Sequence, residues 1–253
     1  MDLRICHLFP DLLNLYGDRG NIATLTERAR WRGVDVRVTP AGLGERIDPR
    51  EHDLYFIGGG EDRQQRLAAP DLKAVKGPAL RDACEGGAVL LAVCGGYQLL
   101  GHFYRPADGA DLEGLGLLDL HTLHPGSAAP RLIGNIAIEE ITSGRRLVGF
   151  ENHGGRTYLG ANARPLGTVF GGWGNNGEDR TEGAVWKGVF GTYLHGPLLP
   201  KNAWFADHLL TLALRRRRPD ATLAPLDDTV EDRAAAAAMR RVPGAPGGSR
   251  RSA

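Results

Sequence analysis

The chain lacks any run of about 18 apolar residues, so no membrane-spanning helix is expected. Sulfur is scarce. There are 3 cysteines, Cys6, Cys84 and Cys94, an odd number with no CxxC spacing. That excludes a disulfide framework and the common structural zinc sites, and it points to a reduced, cytoplasmic protein with no bound metal. An excess of one charge is also missing: 31 basic residues against 30 acidic ones leave a net charge of +1. Nothing in that balance favours nucleic acid or an anionic membrane as a partner. No GxxxxGK[ST] occurs, so no P-loop for a nucleotide is expected. The opening residues Met1-Asp2-Leu3-Arg4-Ile5 read as the start of a strand, leaving no room for a signal peptide.

What is present is an ordinary globular composition, 42% hydrophobic and 24% charged over 253 residues. Leu3 to Phe9, Val34 to Thr39, Asp53 to Ile57 and Ala88 to Val93 read as strands. Helical spacing of Ile22, Leu25 and Ala29 fills the first gap, and Leu72 to Glu85 reads as a helix closed by Gly86-Gly87. Strands separated by crossovers make a parallel sheet. The fold class is therefore α/β, a flavodoxin-like, doubly wound, mostly parallel sheet. Residues 103 to 182 change character, with short β-like runs among glycines, and read as antiparallel additions. Pro200 to Leu214 reads as a further helix, followed by the basic run Arg215 to Arg218. The expected organisation is one domain over 1–215, a helical extension over 216–241 and a disordered tail over 242–253, the last from its Pro, Gly, Ser and Arg content.

The run from Ala88 to Val93 ends at Cys94-Gly95-Gly96-Tyr97-Gln98, where a helix is expected to begin. Strand, nucleophile, glycines and helix make a nucleophile elbow. The turn lifts the side chain off the sheet edge, and the helix N-terminus favours a thiolate and offers N–H groups to an oxyanion. A buried, inert cysteine is the alternative use of such a residue. A second apolar strand, Val189 to Leu194, ends at His195, and the two strand ends could meet at the carboxyl edge of one sheet. His153, in Glu151-Asn152-His153, is the competing imidazole. Gly58-Gly59-Gly60 reads either as a plain flexible turn or as a backbone cradle.

Val93-Cys94-Gly95-Gly96-Tyr97-Gln98 together with Tyr193-Leu194-His195-Gly196-Pro197 resembles the class I glutamine amidotransferases of the cobyric acid synthase type. The match is closer to the glutaminase subunits of lipid II isoglutaminyl synthase. It is carried by Leu13-Asn14-Leu15-Tyr16-Gly17-Asp18, Ile57-Gly58-Gly59-Gly60-Glu61-Asp62-Arg63, Gly149 to Thr157 and Leu198-Leu199-Pro200-Lys201-Asn202. The resemblance implies Cys94 as nucleophile and His195 as base, with the oxyanion hole at Gly60 and Gly95. It also implies a glutamine pocket drawing on Arg131, Gly59, Gln65 and Asn152, with Arg131 on the α-carboxylate. A planar guanidinium fits a carboxylate bidentately. The implied reaction is hydrolysis of L-glutamine, with ammonia passed to a Mur-ligase-like synthase subunit that binds ATP, magnesium and lipid II and amidates D-glutamate. No cofactor is expected on this chain.

Position 197 is Pro197, where many class I enzymes carry a glutamate two residues after the histidine. The cobyric acid synthase type lacks that acid as well, and what orients His195 is left open. A stand-alone cysteine hydrolase of γ-glutamyl compounds, a subunit serving a cobyric-acid-like acceptor and a non-catalytic regulatory subunit are the competing readings.

Overall fold

The structure is a computed structural model and describes residues 1–244; residues 245–253, most of the expected disordered tail, lie outside the described part. In chain order the elements are β1 (Asp2–Leu8), α1 (Arg19–Arg30), β2 (Asp35–Ala41), β3 (Leu54–Ile57), α2 (Asp62–Asp71), α3 (Gly77–Glu85), β4 (Val89–Val93) and α4 (Gly95–Leu100). A run of short strands follows: β5 (Phe103–Arg105), β6 (Leu112–Glu113), β7 (Leu120–Leu123), β8 (Leu132–Glu140), β9 (Arg146–His153), β10 (Arg156–Leu159), β11 (Gly167–Gly171), β12 (Thr181–Glu182), β13 (Ala184–Trp186) and β14 (Val189–Thr192). Helices α5 (Ala203–Arg215) and α6 (Thr229–Met239) complete it.

The central sheet has the order β13-β14-β4-β3-β1-β2. Every pairing is parallel except that of β13 with β14. Omitting that edge strand leaves a flavodoxin-like order, in which the ligand crevice lies beyond the carboxyl ends of the strands. The sequence explains the placement. Leu54 to Ile57 and Val89 to Val93 carry no polar residue that would face water, and all are closed to solvent. Such strands suit the centre of a sheet covered on both faces. The strand β2, in which only Val36 and Ala41 are buried, takes the edge.

Two four-stranded sheets, β10-β7-β5-β6 and β12-β11-β8-β9, form the additions. Their pairings are antiparallel except for β5 with β7. A bridge ties this layer to the carboxyl edge of the central sheet: the Phe150 amide of β9 donates to the His195 carbonyl at 3.2 Å, and the His195 amide donates back at 2.8 Å.

One helix is longer than the sequence pattern predicts. Helical backbone runs from Asp62 to Glu85, with Pro70 inside α2 and a π-type turn over Leu72–Lys76. Proline removes one helical N–H and crowds the turn before it, yet the helical path continues through it. The polar stretch Asp62 to Arg66 hides this start because its buried member is Gln65 rather than an apolar residue.

The α6 helix lies on this chain's own β8 and β9, with Ala235, Ala238 and Met239 against a small cluster of Ala137, Val148 and Val242. The segment leading to it is held by buried Arg28 of α1, which donates to Asp207 and Asp228, both at 2.7 Å for the closest bond.

Candidate active site

Cys94 stands between β4 and α4 with φ 49° and ψ −106°. A positive φ is sterically costly for any residue with a Cβ. It is held here because the Cys94 amide donates to the Thr192 carbonyl and its carbonyl accepts from Gln98. The two following glycines are required by contact. A Cβ on Gly95 would sit 2.9 Å from both the amide nitrogen and the carbonyl oxygen of Gly60. One on Gly96 would sit 2.8 Å from the Gly58 carbonyl oxygen. The loop after β3 therefore passes directly against the N-terminus of α4. Neither the Gly60 nor the Gly95 amide has a hydrogen-bond partner among the described residues. The Gly60 peptide is held from behind by Gln65, whose Nε2 donates to its carbonyl and to Gln98 Oε1, each at 3.1 Å.

Cys94 differs from the other two thiols. Burial pushes Cys6 and Cys84 each up to about 12, so both stay protonated and inert. Cys94 instead reaches the floor of a cavity of about 520 Å³.

His195 lies beside Cys94, the two flanking Gly59: a Cβ on that glycine would meet His195 Cε1 at 2.9 Å and Cys94 Cβ at 3.3 Å. His195 is fully buried and its Nδ1 is 3.7 Å from Asp18 Oδ1. That is too long for a hydrogen bond and short for an ion pair in a dry setting. Burial alone would lower the imidazole pKa. Negative charge on Cys94 and Asp18 outweighs it and pushes His195 up to about 10. The imidazole beside Cys94 is thus favoured in its charged form at neutral pH. Asp18 also accepts the Gly59 amide on Oδ2 at 2.7 Å. One carboxylate therefore steadies both the imidazole and the loop that bears Gly60. Pro197, in the place of the acid found in many class I enzymes, packs on Gly20, where a Cβ would lie 2.4 Å from Pro197 Cγ.

His153, the competing imidazole, lines the cavity but lies flat on Tyr193, ring centroids 3.6 Å apart. Burial lowers its pKa despite nearby Glu151, and its Nδ1 is 2.8 Å from the Gly155 carbonyl oxygen.

The remaining expected site residues divide. Arg131, Asn152, Gln65 and Gly60 line the cavity. Gly59 is not part of that lining: its amide donates to Asp18, and it lies between Cys94, His195 and Asp18. Arg131 is held by Asn152, Nε donating to Oδ1 at 2.9 Å and Nη2 to the backbone carbonyl at 3.0 Å. Three residues without a role in the sequence reading join the site. Asp18 is one. Tyr16 covers His195. Asp62 faces the cavity at the start of α2, fixed by the Tyr104 hydroxyl at 2.9 Å. Asp18 and Tyr16 fall in the turn-rich stretch after β1, and only their place in Leu13 to Asp18 hinted at them. Asp62 falls at the concealed start of α2, and only its place in Ile57 to Arg63 hinted at it.

Comparison with known proteins bears on the family and the fold. The CobB/CobQ-like glutamine amidotransferase domain matches residues 4–203. A relative from Staphylococcus aureus (strain N315), named lipid II isoglutaminyl synthase (glutamine-hydrolyzing) subunit GatD, is 49% identical over 216 residues, 85% of this chain and 86% of that protein. Its namesake from Streptococcus pneumoniae is 42% identical, covering 85% of this chain and 82% of that one. Among solved structures, a glutamine amidotransferase from Thermotoga maritima shares the fold with a TM-score of 0.53 at 17% identity, over 93% of each chain. With an elbow cysteine, an adjoining buried histidine and a family match across 4–203, the chain belongs to the CobB/CobQ-like glutamine amidotransferases.

Proposed function

We propose that this chain hydrolyses the side-chain amide of L-glutamine through Cys94 and His195. In this reading it delivers the ammonia to a Mur-ligase-like synthase subunit that amidates the α-carboxylate of D-glutamate in lipid II. The observation that carries the reading is the buried imidazole of His195 beside Cys94, next to a cavity lined by Cys94 and Arg131. The acceptor is supported by the two relatives that bear the lipid II name over more than four-fifths of their length.

Glutamine would enter as a zwitterion. Arg131 takes its α-carboxylate, and Asp62 offers the α-ammonium an anionic partner across the same cavity. Cys94 Sγ attacks the amide carbon, and the carbonyl π pair moves to oxygen. The Gly60 and Gly95 amides receive that oxyanion; one such donor is worth about 3 kcal/mol. His195 gives its proton to the departing nitrogen, the C–N bond breaks, and ammonia leaves a glutamyl thioester. Water then attacks the thioester, His195 takes its proton, and glutamate departs with the thiolate restored. Asp18 faces the ring throughout and favours its charged form before the attack and after each turnover.

ATP, magnesium and lipid II belong to the synthase subunit in this reading, and the chain works at the cytoplasmic side. Among the described residues no helix is long and apolar enough to cross a membrane. The test is to supply glutamine labelled with ¹⁵N at the side-chain amide to the chain and its synthase subunit, with ATP and lipid II. Label in D-isoglutamine is expected. Glutamine hydrolysis with no label in the stem peptide would overturn the acceptor.

A further inference from the structure

We infer that Tyr16 is a positioning residue that ties the carboxylate-binding end of the cavity to the catalytic imidazole. The inference rests on the glutaminase reading above and adds to it a residue outside the Cys94–His195–Arg131 set.

Three contacts carry it. The edge of the Tyr16 ring lies on His195, ring centroids 5.0 Å apart at 69°. Its hydroxyl accepts from Asn152 Nδ2 at 2.5 Å. The other end of the same amide, Asn152 Oδ1, accepts from Arg131 Nε. Arg131, Asn152 and Tyr16 thus form one continuous chain along the cavity wall that ends on buried His195. With Nε and one Nη2 hydrogen held by Asn152, the guanidinium keeps its end-on pair, Nη1 and Nη2, for a carboxylate.

The backbone is built to present this ring. Tyr16 sits at φ 53°, a left-handed conformation that a bulky residue rarely adopts. The turn that holds it is clamped on Gly59 at two points, the Leu15 amide donating to the Gly59 carbonyl and the Gly59 amide donating to Asp18. Tyr16 remains 46% exposed, so core packing does not account for its placement. His195 is fully buried beneath it and does not line the cavity.

The test uses the chain with its synthase subunit, measuring ammonia release against L-glutamine concentration. Tyr16→Phe keeps the ring and loses the hydroxyl. It is expected to raise KM about tenfold while kcat falls less than about threefold. Asn152→Ala should do the same, and the double variant should be no worse than Asn152→Ala alone, because both break one chain. Tyr16→Ala, which also strips the ring from His195, should lower kcat about tenfold as well. Multiplicative effects in the double variant, or an unchanged KM in Tyr16→Phe, would overturn the inference. Calorimetric binding of L-glutamine to Cys94→Ala protein separates the two claims. No binding there would defeat the glutaminase reading itself; binding indifferent to Tyr16→Phe would defeat the role of Tyr16 alone.

Discussion

Asp18 Oδ1 and His195 Nδ1 stand 3.7 Å apart, and neither side chain is open to solvent. A carboxylate thus faces the imidazole from the turn after the first strand, in a chain that carries Pro197 where many class I enzymes place an acid. Asp18→Asn keeps the shape and the acceptor for the Gly59 amide but removes the charge. Its kcat/KM is expected to fall about 10- to 100-fold, read from initial rates of ammonia release at pH 7.5.

The same pair predicts a pH dependence. His195 is raised to about 10, so the imidazolium persists through neutral pH and is lost as pH rises toward 10. The alkaline limb of the kcat/KM profile should therefore lie far above the ordinary histidine range, as a property of the coupled pair. In Asp18→Asn that limb should move to lower pH, because one of the two charges that hold the proton is gone. A limb that stays in place would contradict the role given to Asp18.

Gly95→Ala tests the oxyanion site by steric means. The new Cβ would press on the Gly60 peptide from 2.9 Å, and that contact is backbone, which cannot swing aside. We expect kcat to fall about 100-fold or more, with L-glutamine binding weakened far less, measured by initial rates and calorimetry.

Glu182 sets a stability effect apart from catalysis. It is fully buried below the end of β14, accepting from the Tyr193 amide at 2.6 Å, and burial pushes its carboxyl up to about 8. Its folded pKa exceeds the unfolded one, near 4.5, so the folded chain holds a proton that the unfolded chain has released. That contribution is complete below about pH 4.5 and is lost as pH rises through about 8. His195 works in the same direction at higher pH. Melting temperatures between pH 5 and 8 should thus fall less steeply for Glu182→Gln than for the natural chain.

Much of this architecture was legible because each central strand announces itself by a closed apolar run, and because strand–Cys94–Gly95–Gly96–helix is a local pattern. The parallel order followed from the crossovers. The antiparallel sheets were legible as a region but not strand by strand, since β6 and β12 span two residues each and carry no period. The start of α2 was concealed by polar side chains and Pro70. In the site, Cys94 and His195 each end an apolar strand, so sequence could bring them to one edge. Asp18 could not be found that way. It lies at the end of a turn with no periodicity, 177 positions before His195, and only the folding of β1 beside β3 brings it under the imidazole. The exclusion of Gly59 from the cavity has the same origin: whether an amide faces substrate or a carboxylate is decided by a partner remote in sequence.

The central claim is that Cys94 carries the glutamyl group. Its most direct test is ammonia release from L-glutamine by the chain with its synthase subunit, natural against Cys94→Ala. The account predicts release with the natural chain and a loss of at least about a thousandfold in the variant. Release that persists in Cys94→Ala at a comparable rate would contradict it.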